Sequence, residues 1–337
     1  MPMIFKKTGR EVRWANEVID LSWAYRASRL VQVAHGAGIF GRLAAGRATA
    51  AVIARDRKLD AAMVEKLLPP LAAMGLVRRA GGKAWQLTPK AAATLVSDAP
   101  FYQGNTLAHS ANVWSFWNDL ESAVRGKRGA WRYVEGEGAG VIRSHRDFIL
   151  AMHNMAMAGR AAWLAERVNV KGRRRLMDIG GGPGSYAMAL CERNPGLRAT
   201  VFDLPETVKV AREVIARLGM SGRVDTVAGD WDKNDFGEAS DVVLLSNIMH
   251  GPGDKAEMKL AKAHKSLVPG GLLIVQDFLM NATKTGPLIP ALFGVMVGAF
   301  ALPEMTVRIR AAGFSRLRAR PMPANVGTTV ITAEKSD

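Results

Sequence analysis

The stretch Leu176-Met-Asp-Ile-Gly-Gly-Gly-Pro-Gly-Ser-Tyr186 constrains the fold of this 337-residue chain more than any other. A short apolar run passes directly into a glycine-rich corner, which predicts a β-strand that ends in a turn. Gly180, Gly182 and Gly184 permit positive φ and let a ligand approach the main chain closely. The apolar run that follows, residues 186–191, predicts a helix. The sequence therefore predicts a nucleotide-binding turn at the carboxyl end of the first strand of an α/β sheet.

The spacing of the glycines narrows the class of ligand. The dinucleotide pattern G-x-G-x-x-G requires glycine at position 185, which is Ser185 here, so the match to a nicotinamide or flavin site is poor. Asp178 lies at the end of the first strand. A second predicted strand, residues 199–203, ends on Asp203, whose carboxylate is placed to accept hydrogen bonds from ribose hydroxyls.

A third predicted strand, residues 224–228, leads into Gly229-Asp230-Trp231. A carboxylate next to an aromatic ring suits adenine, because the acid accepts from the exocyclic amino group and the ring provides a stacking face. Each strand tip also has a purely structural interpretation: Asp178 capping the turn, Asp203 capping the next helix, and Trp231 belonging to the core. The joint spacing of the three favours the ligand site.

Composition places the chain among globular proteins large enough for two domains, with 48% hydrophobic residues. The single cysteine, Cys191, excludes an internal disulfide framework and a cysteine-cluster metal site, so we expect no metal and a cytoplasmic location. Residues 1–13 lack the pattern of a secretory signal. The uncharged run 286–303 is interrupted by Pro and Gly, which predicts a buried or pocket-lining helix and no membrane association.

The net charge of +16 raises the question of nucleic acid. The excess lies mainly in residues 1–100, where the balance is +9. Scattered basic residues of this kind are typical of solubility and of weak attraction to anions. We therefore expect no nucleic-acid partner.

The first hundred residues predict a compact helical unit with a hairpin. Helices are expected at 14–35, 39–44, 50–56 and 61–74, with Thr49 and Asp60 as N-caps. Strands 76–79 and 84–87 flank Gly81-Gly82, and Thr88-Pro89 opens another helix. This order is typical of a winged-helix unit. Two prolines, Pro69 and Pro70, fall in the helix that a DNA reader would insert into the groove, which predicts a kink and disfavours DNA binding.

Residues 110–168 keep a helical pattern, with Trp114 and Trp117 in one helix and a single methionine-rich helix over 147–168. Methionines at these positions are usually core, although methionine also lines adaptable apolar pockets. Beyond Trp231, strands and helices alternate. Strands are expected at 241–246, 272–277 and 326–332, a turn at 268–271, and helices at 254–267, 291–299 and 304–312. This alternation predicts a parallel, doubly wound sheet.

Taken together, these motifs resemble the S-adenosylmethionine-dependent O-methyltransferase family, which includes plant caffeate and flavonoid enzymes and bacterial small-molecule relatives. The resemblance covers nearly the whole chain and rests on residues 178–184, 202–205, 229–231, 249–250 and 269–271, with 38–40 and 312–314. It implies a Rossmann-like doubly wound methyltransferase sheet at 173–337, pocket helices at 106–172, and an amino-terminal helical, winged-helix dimerisation domain at 1–105. It also implies a cytoplasmic homodimer that binds S-adenosyl-L-methionine and a small-molecule acceptor.

The resemblance further implies site residues. A phenolic oxygen is a poor nucleophile while protonated, so a base near pKa 7 assists the transfer. The resemblance assigns this base to His250 and its orientation to Asp277. Cofactor contacts are expected from Asp178, Gly180, Gly182, Gly184, Asp203, Leu204, Asp230, Trp231 and Ser246. An apolar acceptor pocket is expected from Trp114, Trp117, Met152, Met155, Phe293 and Met296.

Three departures from the family pattern leave alternatives open. Gly251-Pro252-Gly253 follows His250 where many members have Asp-Trp, Ala299 stands where plant members place a second acid, and Ser246 replaces a lysine that contacts the cofactor. The main hypothesis is methylation of a hydroxyl on an apolar, aromatic small molecule. The alternatives are methylation at carbon or nitrogen, a non-methylating reaction with the same cofactor, and a DNA-binding regulator.

Overall fold

The computed structural model describes residues 8–127, 145–251, 253 and 255–336. The chain divides into two units, Met1–Asn118 and Asp119–Asp337. The division at residues 105 and 172 that we expected from the sequence remains a prediction. Within the described ranges, no helix combines the length and apolar character needed to cross a bilayer.

The amino-terminal unit consists of helices and one hairpin. Its elements are α1 (Arg10–Gly36), α2 (Ile39–Ala44), α3 (Ala50–Arg57), α4 (Ala61–Ala73), β1 (Val77–Arg79), β2 (Trp85–Leu87), α5 (Pro89–Leu95) and α6 (Gly104–Asn118). The predicted caps are confirmed, because Thr49, Asp60 and Thr88 each accept a hydrogen bond from an amide in the first turn of the following helix. Helix α4 is a single helix that runs through Pro69 and Pro70.

The second unit is built around a seven-stranded sheet. Its helices are α7 (Leu120–Val124), α8 (His145–Met155), α9 (Ala161–Arg167), α10 (Ser185–Arg193), α11 (Pro205–Arg217), α12 (Ala256–Ser266), α13 (Leu288–Val297) and α14 (Leu302–Ala311). Its strands are β3 (Arg175–Ile179), β4 (Arg198–Asp203), β5 (Val224–Ala228), β6 (Ser240–Ser246), β7 (Leu267–Asp277), β8 (Phe314–Pro321) and β9 (Thr329–Lys335).

The strand order is β5-β4-β3-β6-β7-β9-β8, and the pairs from β5 to β7 are parallel. This confirms the predicted mixed α/β fold with a mostly parallel central sheet. Two apolar cores cover the two faces of the sheet: one involves α8 to α11 and the other α12 and α14. Because parallel strands β3 to β7 end at one edge, their carboxyl ends bring distant polar residues together there.

Two expectations about the elements are wrong. The predicted methionine-rich helix 147–168 is broken, because Ala158 and Gly159 leave helical geometry and Gly159 has φ 98°. The sheet is also not wholly parallel, since β9 runs antiparallel to both β7 and β8. Strand β8 was not predicted at all. Arg316, Arg318 and Arg320 alternate with Leu317 and Ala319, so the period of two was a usable signal that we missed.

Helix α10, which follows the glycine turn, is held at its other end by Arg223. The Arg223 guanidinium donates to the carbonyl oxygens of Cys191, Asn194 and Leu197, at 2.5, 2.6 and 2.9 Å. A cation at a helix carboxyl terminus satisfies carbonyls that have no partner in the helix.

We expect Arg223→Met to lower the free energy of unfolding by about 2 kcal/mol or more, because three carbonyls lose their charged donor. Arg212→Met is the matched control, since Arg212 is exposed and bonds only the Thr226 hydroxyl. The control is expected to change stability by less than about 0.5 kcal/mol. Urea unfolding of both variants measures this, and equal effects would contradict the role of Arg223.

Candidate functional site

The glycine turn after β3 has the conformation that the sequence predicts. Gly180, Gly182 and Gly184 have φ of 59°, 54° and 74°, values at which a side chain is strained. The Gly180 amide donates to the carbonyl of Phe202 at 2.8 Å. A Cβ at Gly182 would meet no heavy atom within 4 Å, so the turn is open to a ligand at that point.

Asp203, at the end of β4, ties the turn to the neighbouring strand. Its Oδ2 accepts from the Gly182 amide at 2.8 Å, and its Oδ1 accepts from the Leu204 amide at 2.7 Å. Burial raises the pKa of Asp203, and these two amides oppose that shift. A carboxylate has about four acceptor positions, so it can bind these amides and still accept from a ligand.

Asp178 lies directly beneath the turn. A Cβ at Gly181 would be 2.6 Å from its Cγ, and the carboxyl is 1% exposed. Burial, and then the charge of Asp203, raise the pKa of Asp178 to about 8. The nearby Ala187 amide acts in the opposite direction on this pKa, but its geometry is too poor for a hydrogen bond, and among the described residues neither carboxyl oxygen has a hydrogen-bond partner. Asp178 is therefore protonated at neutral pH when no ligand is bound.

Three side chains that we did not predict as site residues complete this region. Gln276, at the end of β7, donates to the Tyr186 hydroxyl at 3.0 Å, and Asn247 follows β6 in the left-handed conformation. Gln276 Oε1 and Asn247 Oδ1 are buried and have no hydrogen-bond partner in the part of the chain that the structure describes. Ser246, a predicted cofactor contact, accepts from the Asn247 amide group at 3.1 Å. In the sequence, only the polar residue types could have indicated these site residues, because the contact between Gln276 and Tyr186 joins positions ninety residues apart.

These buried oxygens provide a test of whether the predicted cofactor fits. At the tips of β3, β6 and β7, these buried oxygens receive no hydrogen bond from the described residues, and the turn beside them is open at Gly182. S-adenosylmethionine carries an α-ammonium group and a sulfonium, so it supplies the donors and positive charge that such a set requires. The residues present therefore fit the group.

The third strand tip places Trp231 against the turn. A Cβ at Gly180 would be 2.8 Å from the Trp231 ring. The Lys259 ammonium lies 4.3 Å from the ring centroid and donates to the Ile248 carbonyl at 2.6 Å. Lys259 is 3% exposed. It was missed, although it occupies the apolar stripe of α12 together with Ala256, Leu260 and Ala263, and a lysine in such a stripe is a usable signal.

Asp230 lies further towards solvent than the other acids of this edge. Its carboxylate accepts from the Asp232 amide at 2.9 Å and pairs with Lys233 at 3.1 Å. These contacts hold the pKa of Asp230 below its usual range. Asp230 and Trp231 remain predicted adenine contacts.

On the opposite side of β7, His250 and Asp277 form a dyad. The Asp277 carboxylate is fully buried, and its Oδ1 lies 2.8 Å from His250 Nδ1. Asp277 also accepts from the amides of Met249 and Phe278, at 2.8 and 2.7 Å. With Nδ1 donating to the carboxylate, Nε2 carries the lone pair of the imidazole. Pro252 and Asp254, part of the expected departure after His250, lie outside the described residues.

Aromatic rings surround the histidine. The rings of Phe278 and Phe293 stack with centroids 4.1 Å apart, and His250 lies 5.0 Å from Phe293 in an edge-on arrangement. Met296 lies on the same helix, α13, as Phe293. Ala299, which stands in place of a second acid, is buried. An apolar, ring-lined surface therefore lies beside the basic nitrogen.

Helix α8 carries the predicted acceptor residues Met152 and Met155, both half-buried. Two histidines of α8 contact the cofactor-side elements: His145 Nε2 lies 2.8 Å from the Thr207 hydroxyl, and His153 Nδ1 lies 2.9 Å from the Ser185 hydroxyl. Burial lowers the pKa of His153 to about 4, so this contact is between neutral groups. Trp114 and Trp117 lie on α6 of the amino-terminal unit.

Comparison with known proteins identifies the family. Residues 117–315 match the family described as O-methyltransferase domain. A 3-hydroxy-5-methyl-1-naphthoate 3-O-methyltransferase from Streptomyces sahachiroi is 31% identical over 309 residues, which cover 89% of each chain. The chain belongs to the O-methyltransferase family. It is therefore an S-adenosylmethionine-dependent methyltransferase, as the sequence motifs predicted.

Two further relatives define the breadth of the similarity. The N,N-dimethyltransferase OxyT of Streptomyces rimosus is 28% identical and covers 96% of this chain and 97% of its own. Human N-acetylserotonin methyltransferase, solved in complex with SAM, has a TM-score of 0.83 at 24% identity and covers 99% of this chain and 100% of that chain. The fold is therefore shared over the full length.

The raised pKa of Asp178 predicts a pH-dependent stability of the ligand-free protein. The pKa of the Asp178 carboxyl is about 3.9 in the unfolded chain and about 8 in the folded protein. Between these values only the unfolded chain releases the proton, so stability falls as pH rises from about 4 to about 8. We expect Asp178→Asn to remove this contribution. The free energy of unfolding of the variant, relative to that of the wild type, should therefore be higher at pH 8 than at pH 5.

Urea unfolding at pH 5 and pH 8 measures the difference. Asp225→Asn, at a solvent-exposed carboxylate on β5, is the control and should shift both curves alike. A wild-type minus Asp178→Asn difference that is the same at both pH values would contradict the buried, protonated state of Asp178.

Proposed function

We propose that the protein transfers a methyl group to the hydroxyl of an aromatic small molecule, with His250 as the general base and Asp277 as the residue that orients it. The 2.8 Å contact between His250 Nδ1 and Asp277 Oδ1 carries this proposal. The relative from Streptomyces sahachiroi, which acts on a naphthoate hydroxyl by name, supports the acceptor class. The stacked rings of Phe278 and Phe293 beside His250 support it independently.

In this proposal, the methyl donor and the general base lie on opposite faces of β7. When bound, S-adenosylmethionine supplies an electrophilic methyl group on a sulfonium. His250 Nε2 takes the acceptor's hydroxyl proton as the oxygen attacks, the new carbon–oxygen bond forms, and the carbon–sulfur bond breaks. Asp277 holds the imidazole and stabilises the cation formed. Alignment of the two reactants contributes the remaining rate enhancement.

On the side of the methyl donor, we propose that the backbone of the turn residues Gly180, Gly182 and Gly184 contacts the cofactor. Asp203, with the adjoining Leu204, binds the ribose, Asp230 and Trp231 bind the adenine, and Asp178 and Ser246 lie near the amino-acid end. The positions at three adjoining strand tips support these roles. Met152, Met155, Phe293 and Met296, with Trp114 and Trp117, are proposed to contact the acceptor.

We expect His250→Gln to lower kcat by about 10²- to 10⁴-fold on the best acceptor from a panel of hydroxylated aromatic acids. Affinity for S-adenosylhomocysteine, measured by calorimetry, should not change. The loss should shrink at high pH, where more acceptor is ionised and needs no base. His264→Gln, a histidine that packs on Phe314, is the matched control and should retain kcat.

A second function is favoured by a specific observation, the similarity of OxyT over nearly the full chain. Transfer to an amine nitrogen needs no base once the amine is neutral. A small effect of His250→Gln, with amines preferred over hydroxyls in the same panel, would replace the first proposal by this one.

We further propose a homodimer formed through α1, with the amino-terminal unit as a winged-helix dimerisation domain. Trp14, Val18, Leu21 and Tyr25 recur at helical spacing along one stripe of α1, and Val18 and Leu21 are 65% and 75% exposed. Contiguous exposed apolar surface of this kind marks an interface. A second copy of the chain would cover it.

Sedimentation velocity tests the dimer. We expect the wild type to sediment as a dimer and Val18→Glu/Leu21→Glu as a monomer, because burying two carboxylates in an apolar interface is unfavourable. Val307→Glu, at a 65% exposed position on α14, is the control and should remain dimeric. A monomeric wild type would refute the proposal.

A further inference from the structure

A concave groove of about 650 Å³ lies on one face of the sheet, at the side formed by β7, β9 and β8. Its floor contains Leu272 of β7 and Val330 of β9, and its walls come from α9, the segment before β3, and edge strand β8. Leu272 lies five residues before Asp277, which at a rise of about 3.3 Å per residue corresponds to about 16 Å along the strand. At the other end of the groove, Val330 pairs with Gln276. The groove is set apart from the predicted cofactor contacts at the tips of β3, β4 and β5 by its position on β7, β9 and β8, at the other side of the sheet.

Positive charge dominates this groove. One carboxylate lines it, Glu334, and Arg316 binds that carboxylate at 2.9 Å. The Arg173 guanidinium is fixed by the carbonyls of Asp241 and Gly270, at 2.9 and 3.2 Å. Arg167 pairs with Glu166 at 3.1 Å. The described residues that line the groove include six cationic side chains: Arg167, Lys171, Arg173, Arg316, Arg318 and Arg320.

Charged residues on an edge strand are a common protection against aggregation. This explains the exposure of Arg318 and Arg320, which lie two positions apart on the same face of β8. It does not explain Lys171 and Arg173, which belong to a different segment and face the same cavity. It also does not explain a concave shape with an apolar floor.

We propose that this groove binds an organic polyphosphate, a small molecule that carries two or three phosphates on an apolar or aromatic group. Guanidinium groups match the geometry of phosphate oxygens in a fork. The floor residues and Trp163, a half-buried ring in the wall, provide contact for the organic part. The volume lies within the range of small-molecule sites.

A nucleic acid fits the groove less well. Single-stranded chains bind along an extended basic track with several aromatic rings for successive bases. Among the described residues of the lining, Trp163 is the single aromatic residue. A compact ligand with clustered charge uses the six cations more fully.

Titration calorimetry of the full-length protein tests the proposal, with inorganic tripolyphosphate and uridine triphosphate as probes. Uridine triphosphate lacks the adenine that the strand tips are predicted to bind. We expect saturable binding of both probes, with the nucleotide tighter because its organic part contacts the floor. Arg318→Gln/Arg320→Gln should weaken both by about tenfold or more, which is the scale of losing charge-assisted hydrogen bonds.

Arg193→Gln/Arg310→Gln removes the same charge at two exposed positions outside the groove and should change the affinities less than twofold. Equal weakening by the two double variants would show a general charge effect and overturn the site, as would the absence of saturable binding. Equal affinities of the two probes would overturn the role of the floor. Salt-sensitive binding of duplex DNA, lost in the groove variant while neither probe binds, would identify a nucleic-acid surface instead. These binding measurements do not depend on methyl transfer, so they remain valid if the proposed function is wrong.

Discussion

The buried carboxylate of Asp277 is the constraint on which the arrangement at the strand tips depends. An ionised group that is fully removed from water is tolerated only when donors surround it. Asp277 has three: the imidazole of His250 and the amides of Met249 and Phe278. These contacts join the segment after β6 to the end of β7. The same three bonds therefore set the path of the backbone and the orientation of the ring.

On the side of the glycine turn, by contrast, buried acceptors lack donors in the described part of the chain. Burial and the charge of Asp203 raise the pKa of Asp178, which favours its protonated form, and among the described residues the oxygens of Asp178, Gln276 and Asn247 have no hydrogen-bond partner. Uncompensated buried acceptors are unfavourable in the ligand-free protein. They become favourable when a cation arrives. Under the proposed function, a positively charged donor molecule would supply the missing partners on this side.

Much of the fold could be predicted because its signals are local. The apolar runs of β3 to β7 end in turn residues, and Thr49, Asp60 and Thr88 cap helices in the way their residue types require. The glycine turn was predictable for the same reason, since its positive φ values depend on residue type alone.

The missed features depend on tertiary context. Strand β8 lies exposed at an edge, and its arginines alternate only with Leu317 and Ala319, which is a short and weakly apolar pattern. The break at Gly159 depends on one residue among good helix formers. Lys259 has a residue type usual on the surface, and only the packing of α12 shows that it is buried. The contact between Tyr186 and Gln276 joins residues distant in sequence, and no pattern of spacing reveals it.

Strand β7 places Gln276 and Asp277 next to each other, and side chains of consecutive strand residues point to opposite faces of a sheet. Gln276 thus belongs to the layer of α10, and Asp277 to the layer that holds His250. A slip of one residue in the pairing of β7 would exchange the two layers, leaving an amide behind the imidazole and a carboxylate against Tyr186. Pairing with β6 on one side and with antiparallel β9 on the other prevents that slip. The two strands that flank β7 therefore determine which layer holds the Tyr186–Gln276 contact and which holds the dyad, although neither strand contributes the dyad carboxylate.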